Sequence, residues 1–372
     1  MIKTLEGFGI LIGVIIGAGL FGLPYSFSKA PLSWNIFLFL AVFCLSVFLH
    51  LLFAGIIYTT PGKHRFPGYV QIYLGPRAET VATIFSVLSS YGALLAYGIL
   101  GATFLGNIFG IDFFIAGIIF FILGGALFFL SIDEIGKINF YLTLPLVGFI
   151  LLMAFRVFPE IRFENLLTQG HSWSLAYGIL VFAFGGYAGL AELRDVIGTR
   201  NHALAKKLIF LSLLAAAILY AIFIVVVLGV SGSSVSSDAL SGLEEVLGKG
   251  ILVLGSLIGF FAIVRAFVGM GADLKLTYKY DYEIRGGAAW LLSFLPPILL
   301  FSLGFVDLVK ILSLVGSVGL GIFAVFILLI AWEKRKDIST FLGFKIRAWW
   351  LFAVGVLLVL GALQDIFSRF IF

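Results

Sequence analysis

Long apolar runs separated by short charged segments extend along the whole chain. Most runs hold about 20 residues, which is long enough for an α-helix to cross the hydrocarbon core of a bilayer. The pattern predicts an all-α polytopic membrane protein in which residues 1–372 form a single transmembrane domain. It predicts eleven membrane spans, at about residues 5–28, 33–58, 79–108, 111–131, 138–158, 174–197, 204–230, 250–273, 287–304, 308–332 and 346–369.

Composition excludes a soluble globular domain, because 62% of the residues are hydrophobic and the mean hydropathy is +1.17. Lys3 precedes an apolar run, as in a signal peptide, but this run is longer and lacks a small-residue cleavage site. The single cysteine, Cys44, lies in the second predicted span, so no intrachain disulfide is possible.

The distribution of basic residues predicts the orientation. A large majority of the 24 lysines and arginines fall on the side of the membrane that holds the N-terminus. This bias predicts a cell-membrane protein with a cytoplasmic N-terminus and an external C-terminus. The net charge of +5 then reflects topology in the lipid bilayer, and no basic–aromatic motif indicates a nucleic-acid partner.

The first predicted span is rich in residues that interrupt helices: Gly13, Gly17, Gly19, Gly22 and Pro24. Glycine loosens a helix and proline removes a backbone donor. Within a bilayer, a broken helix is tolerated only where it is buried in protein or lines a cavity. This stretch therefore predicts a substrate or ion site.

A second interruption, Phe184 to Gly189, lies in the sixth predicted span. Spans one and six would begin two five-helix halves of opposite orientation, with repeats at about 5–158 and 174–332 and an extra helix at 346–369. In inverted-repeat secondary transporters such discontinuous helices meet at the substrate site. The alternative is that both sets of glycines only allow helices to pack closely.

Three segments resemble the amino acid permeases of the amino acid–polyamine–organocation superfamily, and are most similar to its aromatic and neutral amino acid branch. They are GVIIGAGLFGLPYSF (13–27), FAFGGYAGLAEL (182–193) and FFAIVRAFVGMGADL (260–274). The resemblance implies a LeuT-type fold of ten core helices in two inverted repeats, with one extra C-terminal helix. It also implies an amino acid substrate. Two departures are Ala191, where proline is usual, and Arg265-Ala266, where the branch has Thr-Ser.

The resemblance also implies which residues bind substrate. Backbone amides at the first interruption would bind the substrate carboxylate, since a helix N-terminus favours anions. Carbonyls at the second interruption would bind the amino group, and nearby aromatic rings would line the side-chain pocket. With 41 phenylalanines in the chain, each ring has a packing role as its alternative. The implied residues are Gly17, Ala18, Gly19, Tyr91, Phe184, Gly185, Gly186 and Tyr187.

Arg265 lies in the middle of the eighth predicted span, where a charge costs about 2.5–3.5 kcal/mol to insert. In the family, the Thr-Ser pair at this point contributes hydroxyls to a sodium site between helices one and eight. Our hypothesis is that the Arg265 guanidinium replaces the sodium ion and braces the interrupted first helix. The alternative is a structural salt bridge to Glu192 or Asp273.

An arginine stays protonated, so Arg265 is not a proton carrier. Glu192 and His50 are the candidates for a proton or ion-pair site within the membrane. For His50 the alternative is an ordinary hydrogen-bonded interior histidine. For Glu192 the alternative is an interfacial position beside Arg194 and Asp195.

The sequence shows no phosphate-binding loop, no nucleophile elbow and no metal-ligand spacing among its four histidines. We therefore expect a secondary transporter rather than an enzyme, with no metal or other cofactor and no obligate protein partner. Helices 1, 2, 6 and 7 are expected to rock against helices 3, 4, 8 and 9. Two alternatives are a sodium- or proton-coupled symporter of the same fold and a membrane amino acid sensor that does not transport.

Overall fold

We describe a computed structural model of the chain, which covers residues 2–129, 132–280 and 282–371. These residues contain no β-strand, so the all-α prediction is confirmed. The α-helices, numbered along the chain, are α1 (Ile2–Ile15), α2 (Gly19–Ser28), α3 (Leu32–Thr59), α4 (Phe66–Leu74), α5 (Pro76–Phe109), α6 (Phe113–Ala126), α7 (Ile132–Val157), α8 (Phe163–Leu166), α9 (Leu175–Ala183), α10 (Gly189–Ile197), α11 (His202–Ser231), α12 (Glu244–Leu247), α13 (Lys249–Tyr280), α14 (Gly286–Ser302), α15 (Leu308–Leu314), α16 (Gly321–Glu333), α17 (Arg335–Leu342) and α18 (Ala348–Ile371).

Each predicted span coincides with one helix or with one interrupted helix. The first span is the pair α1 and α2, which are bent by 51° at their junction. The sixth is the pair α9 and α10, and the tenth is α15 and α16 joined by a π-helical segment, Val315–Leu320. The fourth predicted span ends at 131, and residues 130 and 131 lie outside the described part of the chain.

Length and composition support membrane insertion. Among the described residues, α3, α5, α11, α13, the α15–α16 run and α18 are each long and apolar enough to cross a bilayer. The bent pair α1 and α2 satisfies the same test as one span, and α6 and α14 are shorter apolar helices. Four further α-helices of the described part of the chain lie outside these spans: α4, α8, α12 and α17.

Local chemistry fixes several helix ends. Gly110 adopts a left-handed conformation (φ +68°) at the end of α5, and its N–H bonds the carbonyl of Gly106. The Asp112 carboxylate then accepts hydrogen bonds from the N–H groups of Phe114 and Ile115, which caps α6. These bonds pair backbone groups that the short connection between α5 and α6 would otherwise leave free.

The helices pack as two groups. In one group α1 packs against α10 and α11, α2 against α9 and α11, and α3 against α9, α10 and α11. In the other, α5 packs against α6, α13 and α14. These groups correspond to the predicted helices 1, 2, 6 and 7 and helices 3, 4, 8 and 9, and the interrupted helices lie where the groups face each other.

Candidate functional site

The first interruption separates α1 from α2. The hydrogen-bond pattern of α1 ends with the N–H of Ile16, and α2 resumes with the N–H of Leu20, which bonds the Gly17 carbonyl at 3.2 Å. Between them, the N–H groups of Gly17, Ala18 and Gly19 have no backbone acceptor among the described residues. They are the unpaired donors of a helix start, and they favour an anion.

The second interruption separates α9, which ends at Ala183, from α10, which begins at Gly189. Gly186 has φ +99°, a conformation that side chains rarely adopt. The Gly189 N–H bonds the Gly186 carbonyl at 3.1 Å. The carbonyls of Phe184 and Gly185 accept no backbone hydrogen bond within the described part of the chain. This interruption therefore presents acceptors, whereas the first presents donors.

The two interruptions touch. A Cβ on Gly19 would lie 2.6 Å from the Cα of Ala183, and a Cβ on Gly186 would lie 3.3 Å from the backbone nitrogen of Ile15. The buried hydroxyl of Tyr220, on α11, lies 2.9 Å from the Ile15 carbonyl and 2.8 Å from the Ala183 carbonyl. Glycine at these positions therefore permits the close approach, and the Tyr220 hydroxyl is the donor for the carbonyls at the buried ends of α1 and α9.

A cavity of about 760 Å³ begins at the interruptions. Its inner end is lined by glycines of both breaks, and it extends between the two helix groups along α1, α10 and the C-terminal half of α13. Exposed charged side chains, among them Lys63 and Asp195, lie at its other end, so the cavity opens at that surface of the protein. The residues that define its course are Gly17, Gly19, Gly185, Gly186, Lys63, Arg65, Asp195 and Asp273.

On the opposite side of the interruptions the protein is closed. The ring of Phe21, on α2, packs edge-on against Phe104 (5.1 Å between centroids) and Phe223 (6.1 Å). Ala239 and Leu240, from the segment between α11 and α12, are also buried. None of these five residues lines the cavity. The site is thus open on one side only.

Of the three aromatic residues that the resemblance implies for the side-chain pocket, the structure places one in the cavity lining. Tyr187 lines the cavity, whereas Phe184 is fully buried and its ring packs 5.4 Å from that of Tyr220. Tyr91 is absent from the cavity lining; its hydroxyl lies 2.5 Å from that of Tyr278 and hydrogen-bonds the carbonyl of Leu292.

Tyr97, on the same helix as Tyr91, lines the cavity, and its hydroxyl lies 3.9 Å from where a Cβ on Gly17 would be. Nothing in the sequence distinguishes Tyr97 from Tyr91, since both lie in the third span. Ala18 contributes no side-chain surface to the cavity, because it is fully buried.

Arg265 lies at the inner end of the cavity and is 7% exposed. Its Nη2 donates to the carbonyl of Ile16, at the first interruption, at 2.9 Å. Among the described residues it forms no ion pair, and its Nε has no hydrogen-bond partner. The salt bridge to Glu192 or Asp273 is therefore not found; Asp273 lies 3.9 Å from Arg65 instead.

The two candidate proton sites differ in access. Buried His50 has its Nδ1 2.8 Å from the Ser46 carbonyl, and its ring stacks on Tyr187 at 4.1 Å between centroids. It does not line the cavity, whereas half-buried Glu192 does. The described residues contain no group of three metal-binding side chains.

Sequence comparison gives the family. The family profile described as the tryptophan/tyrosine permease family matches residues 1–367. The chain belongs to this family. The permease is therefore a multi-pass membrane transporter of amino acids. It is 23% identical over 326 residues to the tyrosine-specific transport system 1 of Haemophilus influenzae, covering 80% of each chain.

Solved structures of two transporters share the permease's fold. The structure of MhsT in complex with L-phenylalanine has a TM-score of 0.71 at 13% identity and covers 98% of both chains. The structure of Mhp1, a nucleobase-cation-symport-1 family transporter in a closed conformation with bromovinylhydantoin bound, has a TM-score of 0.68 at 15% identity. It covers 98% of the permease and 88% of that chain. The predicted LeuT-type fold is confirmed.

Proposed function

We propose that this permease is a secondary carrier of aromatic amino acids that works by alternating access. The observation that carries the proposal is the meeting of two interrupted helices at the closed end of a cavity that opens on one side only. The donors of one interruption and the acceptors of the other match the carboxylate and amino groups of an α-amino acid. The family and the named substrates of the relatives support an aromatic side chain.

We assign the binding groups as follows. The free amides of Gly17, Ala18 and Gly19 would receive the carboxylate. The carbonyls of Phe184 and Gly185, with the backbone that follows through Gly186, would receive the amino group. The rings of Tyr187 and Tyr97 line the cavity beside these groups, and they replace Phe184 and Tyr91 as the aromatic surface for the substrate side chain.

Transport assays with purified protein test this function. Proteoliposomes loaded with L-tyrosine, L-tryptophan or L-phenylalanine should accumulate the same labelled amino acid from outside, whereas L-aspartate should not support uptake. Failure of all three aromatic amino acids would overturn the proposed substrate class. Saturable binding without any uptake would favour the alternative, a sensor.

We further propose that transport is independent of sodium because Arg265 occupies the place of the ion. Its guanidinium already donates to the Ile16 carbonyl, a group of the kind that coordinates a cation at an interrupted helix. The side chains of Arg265 and Ala266 bring no oxygen ligand. A sodium ion beside this permanent positive charge would also be repelled.

The sodium proposal is tested by uptake of L-tyrosine with sodium replaced by potassium and then by choline. Initial rates should agree within about twofold, since a coupled ion typically changes affinity by more than that. A strict requirement for sodium would contradict the proposal, while leaving amino acid transport itself intact.

Proton coupling is the second candidate mechanism, and His50 and Glu192 are the groups that would carry it. His50 stacks on Tyr187 at the second interruption, and Glu192 lines the cavity. An inward proton gradient should then drive concentrative uptake, and His50→Gln or Glu192→Gln should abolish the concentrative part. Uptake that follows only the amino acid gradient would exclude this mechanism.

We propose a cell-membrane location with a cytoplasmic N-terminus and an external C-terminus. The charged end of the cavity carries Lys63 and Arg65 and would then face the cytoplasm. The structure would be inward-open, with repeats at about 5–158 and 174–332 in opposite orientations. Terminal reporter fusions test the orientation; a cytoplasmic C-terminal reporter would contradict it.

A further inference from the structure

The inner end of the cavity is positively polarised. Arg265 is nine-tenths buried there, and its Nη1 makes no hydrogen bond to any described residue. The free amides of Gly17 and Gly19 open onto the same cavity, at the positive end of the α2 dipole. No carboxylate among the described residues lies within ion-pair distance of Arg265. The cavity thus presents a cation without a protein counter-ion.

An uncompensated buried cation affects closure of the empty carrier. In the open state, water in the cavity solvates the exposed part of the guanidinium. Closing the cavity without a ligand would remove that water while providing no anion, which is costly in a low-dielectric interior. A carboxylate held by charge-assisted hydrogen bonds would compensate the charge before closure.

We propose that the substrate carboxylate binds Arg265 together with the amides of Gly17 and Gly19, and that this pairing restricts closure to the loaded carrier. The permease is then an exchanger of amino acids rather than a uniporter. This inference rests on the proposed transport function. The guanidinium has two separate tasks: Nη2 braces the Ile16 carbonyl, and Nη1 receives the substrate.

The first test measures an exchange ratio, which is the rate of label loss into buffer with L-tyrosine divided by the rate into buffer without it. Proteoliposomes loaded with labelled L-tyrosine should lose label at least about tenfold faster into buffer with L-tyrosine than into buffer without it, as one desolvated charge would produce. Arg265→Gln, which removes the charge but keeps donors, should bring the ratio close to one. Arg77→Gln, at an exposed position on α5, is the matched control and should keep the wild-type ratio.

Two outcomes overturn the inference: equal efflux into both buffers by the wild type, or an unchanged ratio in Arg265→Gln. Arg265→Lys keeps a cation and should keep a ratio well above one, which provides a second variant if Arg265→Gln does not fold. Absence of all uptake by the wild type would instead contradict the proposed function.

Ligand discrimination is the second test, and the wild type alone is sufficient for it. L-tyrosinamide and tyramine both lack the carboxylate, so each should displace labelled L-tyrosine at least about tenfold less well than unlabelled L-tyrosine. Arg265→Gln should narrow this gap. Equal competition by L-tyrosine and the two analogues in the wild type would show that no carboxylate site exists.

Discussion

At the scale of single residues, the site depends on the absence of side chains. Gly19 approaches Ala183 so closely that a methyl group would lie 2.6 Å from its Cα. Gly186 combines a left-handed φ of +99° with a near contact to Ile15. These two glycines allow the interruptions to meet. A side chain on Gly19 would collide with α9, and a side chain on Gly186 would be strained by the backbone conformation and would also crowd Ile15.

We predict that Gly19→Ala and Gly186→Ala each reduce the initial rate of L-tyrosine uptake by about tenfold or more, because strain or separation of the breaks costs roughly 1–3 kcal/mol. Gly148→Ala is the control, since a Cβ there meets nothing within 4 Å. Uptake should be normalised to inserted protein. Wild-type rates in both test variants would mean that close approach of the breaks is not required.

At the scale of helices, one side chain connects two interruptions. The Tyr220 hydroxyl, on α11, lies within hydrogen-bond distance of both the Ile15 and the Ala183 carbonyls. Both carbonyls end broken helices, where a buried group without a partner costs about 1–3 kcal/mol. Tyr220 was not among the residues that the sequence motifs indicated, because it lies in an otherwise ordinary apolar span.

We predict that Tyr220→Phe lowers the melting temperature and slows L-tyrosine uptake, because the two carbonyls lose the single hydroxyl proton that they share. Tyr58→Phe is the matched control: its buried hydroxyl has no partner among the described residues, so its removal should be neutral or slightly stabilising. Thermal unfolding in detergent and proteoliposome uptake measure the two effects. Equal behaviour of the two variants would contradict the bridging role.

A buried polar contact holds the C-terminal helix, α18, against the rest of the protein. Asp365, on α18, is buried and accepts hydrogen bonds from the hydroxyls of Ser313 (2.9 Å) and Ser317 (2.6 Å). Ser317 lies in the π-helical segment, which packs against α9. We predict that Asp365→Ala lowers the melting temperature, whereas Gln364→Ala, at an exposed position, does not. A melting temperature unchanged in Asp365→Ala would show that the other contacts of α18 are sufficient to hold it.

At the scale of the whole molecule, the closed side depends on a polar contact between elements. Asn107, on α5, donates to Ser256 on α13 (3.1 Å) and to Ser241 in the segment before α12 (3.3 Å). The Asp238 carboxylate also accepts a hydrogen bond from Ser241. Opening of this side requires that these bonds break, so they favour the state seen here.

We predict that Asn107→Ala shifts the population of conformations towards the one in which the side that is closed here is open. With Cys44 replaced by serine, a cysteine substituted for Ser90, which lines the cavity, should react with a polar thiol reagent. Asn107→Ala should slow that reaction severalfold, because loss of a net hydrogen bond is worth about 1 kcal/mol. Thr103→Ala is the control, since Thr103 bonds only its own helix. An unchanged rate would contradict the proposal that the Asn107 hydrogen bonds hold this side closed.

The interrupted spans and the buried arginine were apparent from the sequence because each is a local property. Apolar length predicts a span, glycine and proline predict an interruption within it, and a lone charge in an apolar run is conspicuous at any depth. For the same reason, all three family motifs could be located without knowledge of the packing. Helices α4 and α17, which lie outside the predicted spans, carry weaker patterns and were not resolved.

The direction in which each side chain points was decided only by the tertiary structure. Tyr91 and Tyr97 are alike in sequence, yet only Tyr97 lines the cavity, and Phe184 turns from the second interruption towards Tyr220. Likewise, the partner of Arg265 is a carbonyl rather than a carboxylate. Composition and periodicity determine which segments enter the membrane. The register and rotation of packed helices determine which atoms meet, because in a bilayer those contacts come from close packing rather than from burial of apolar residues.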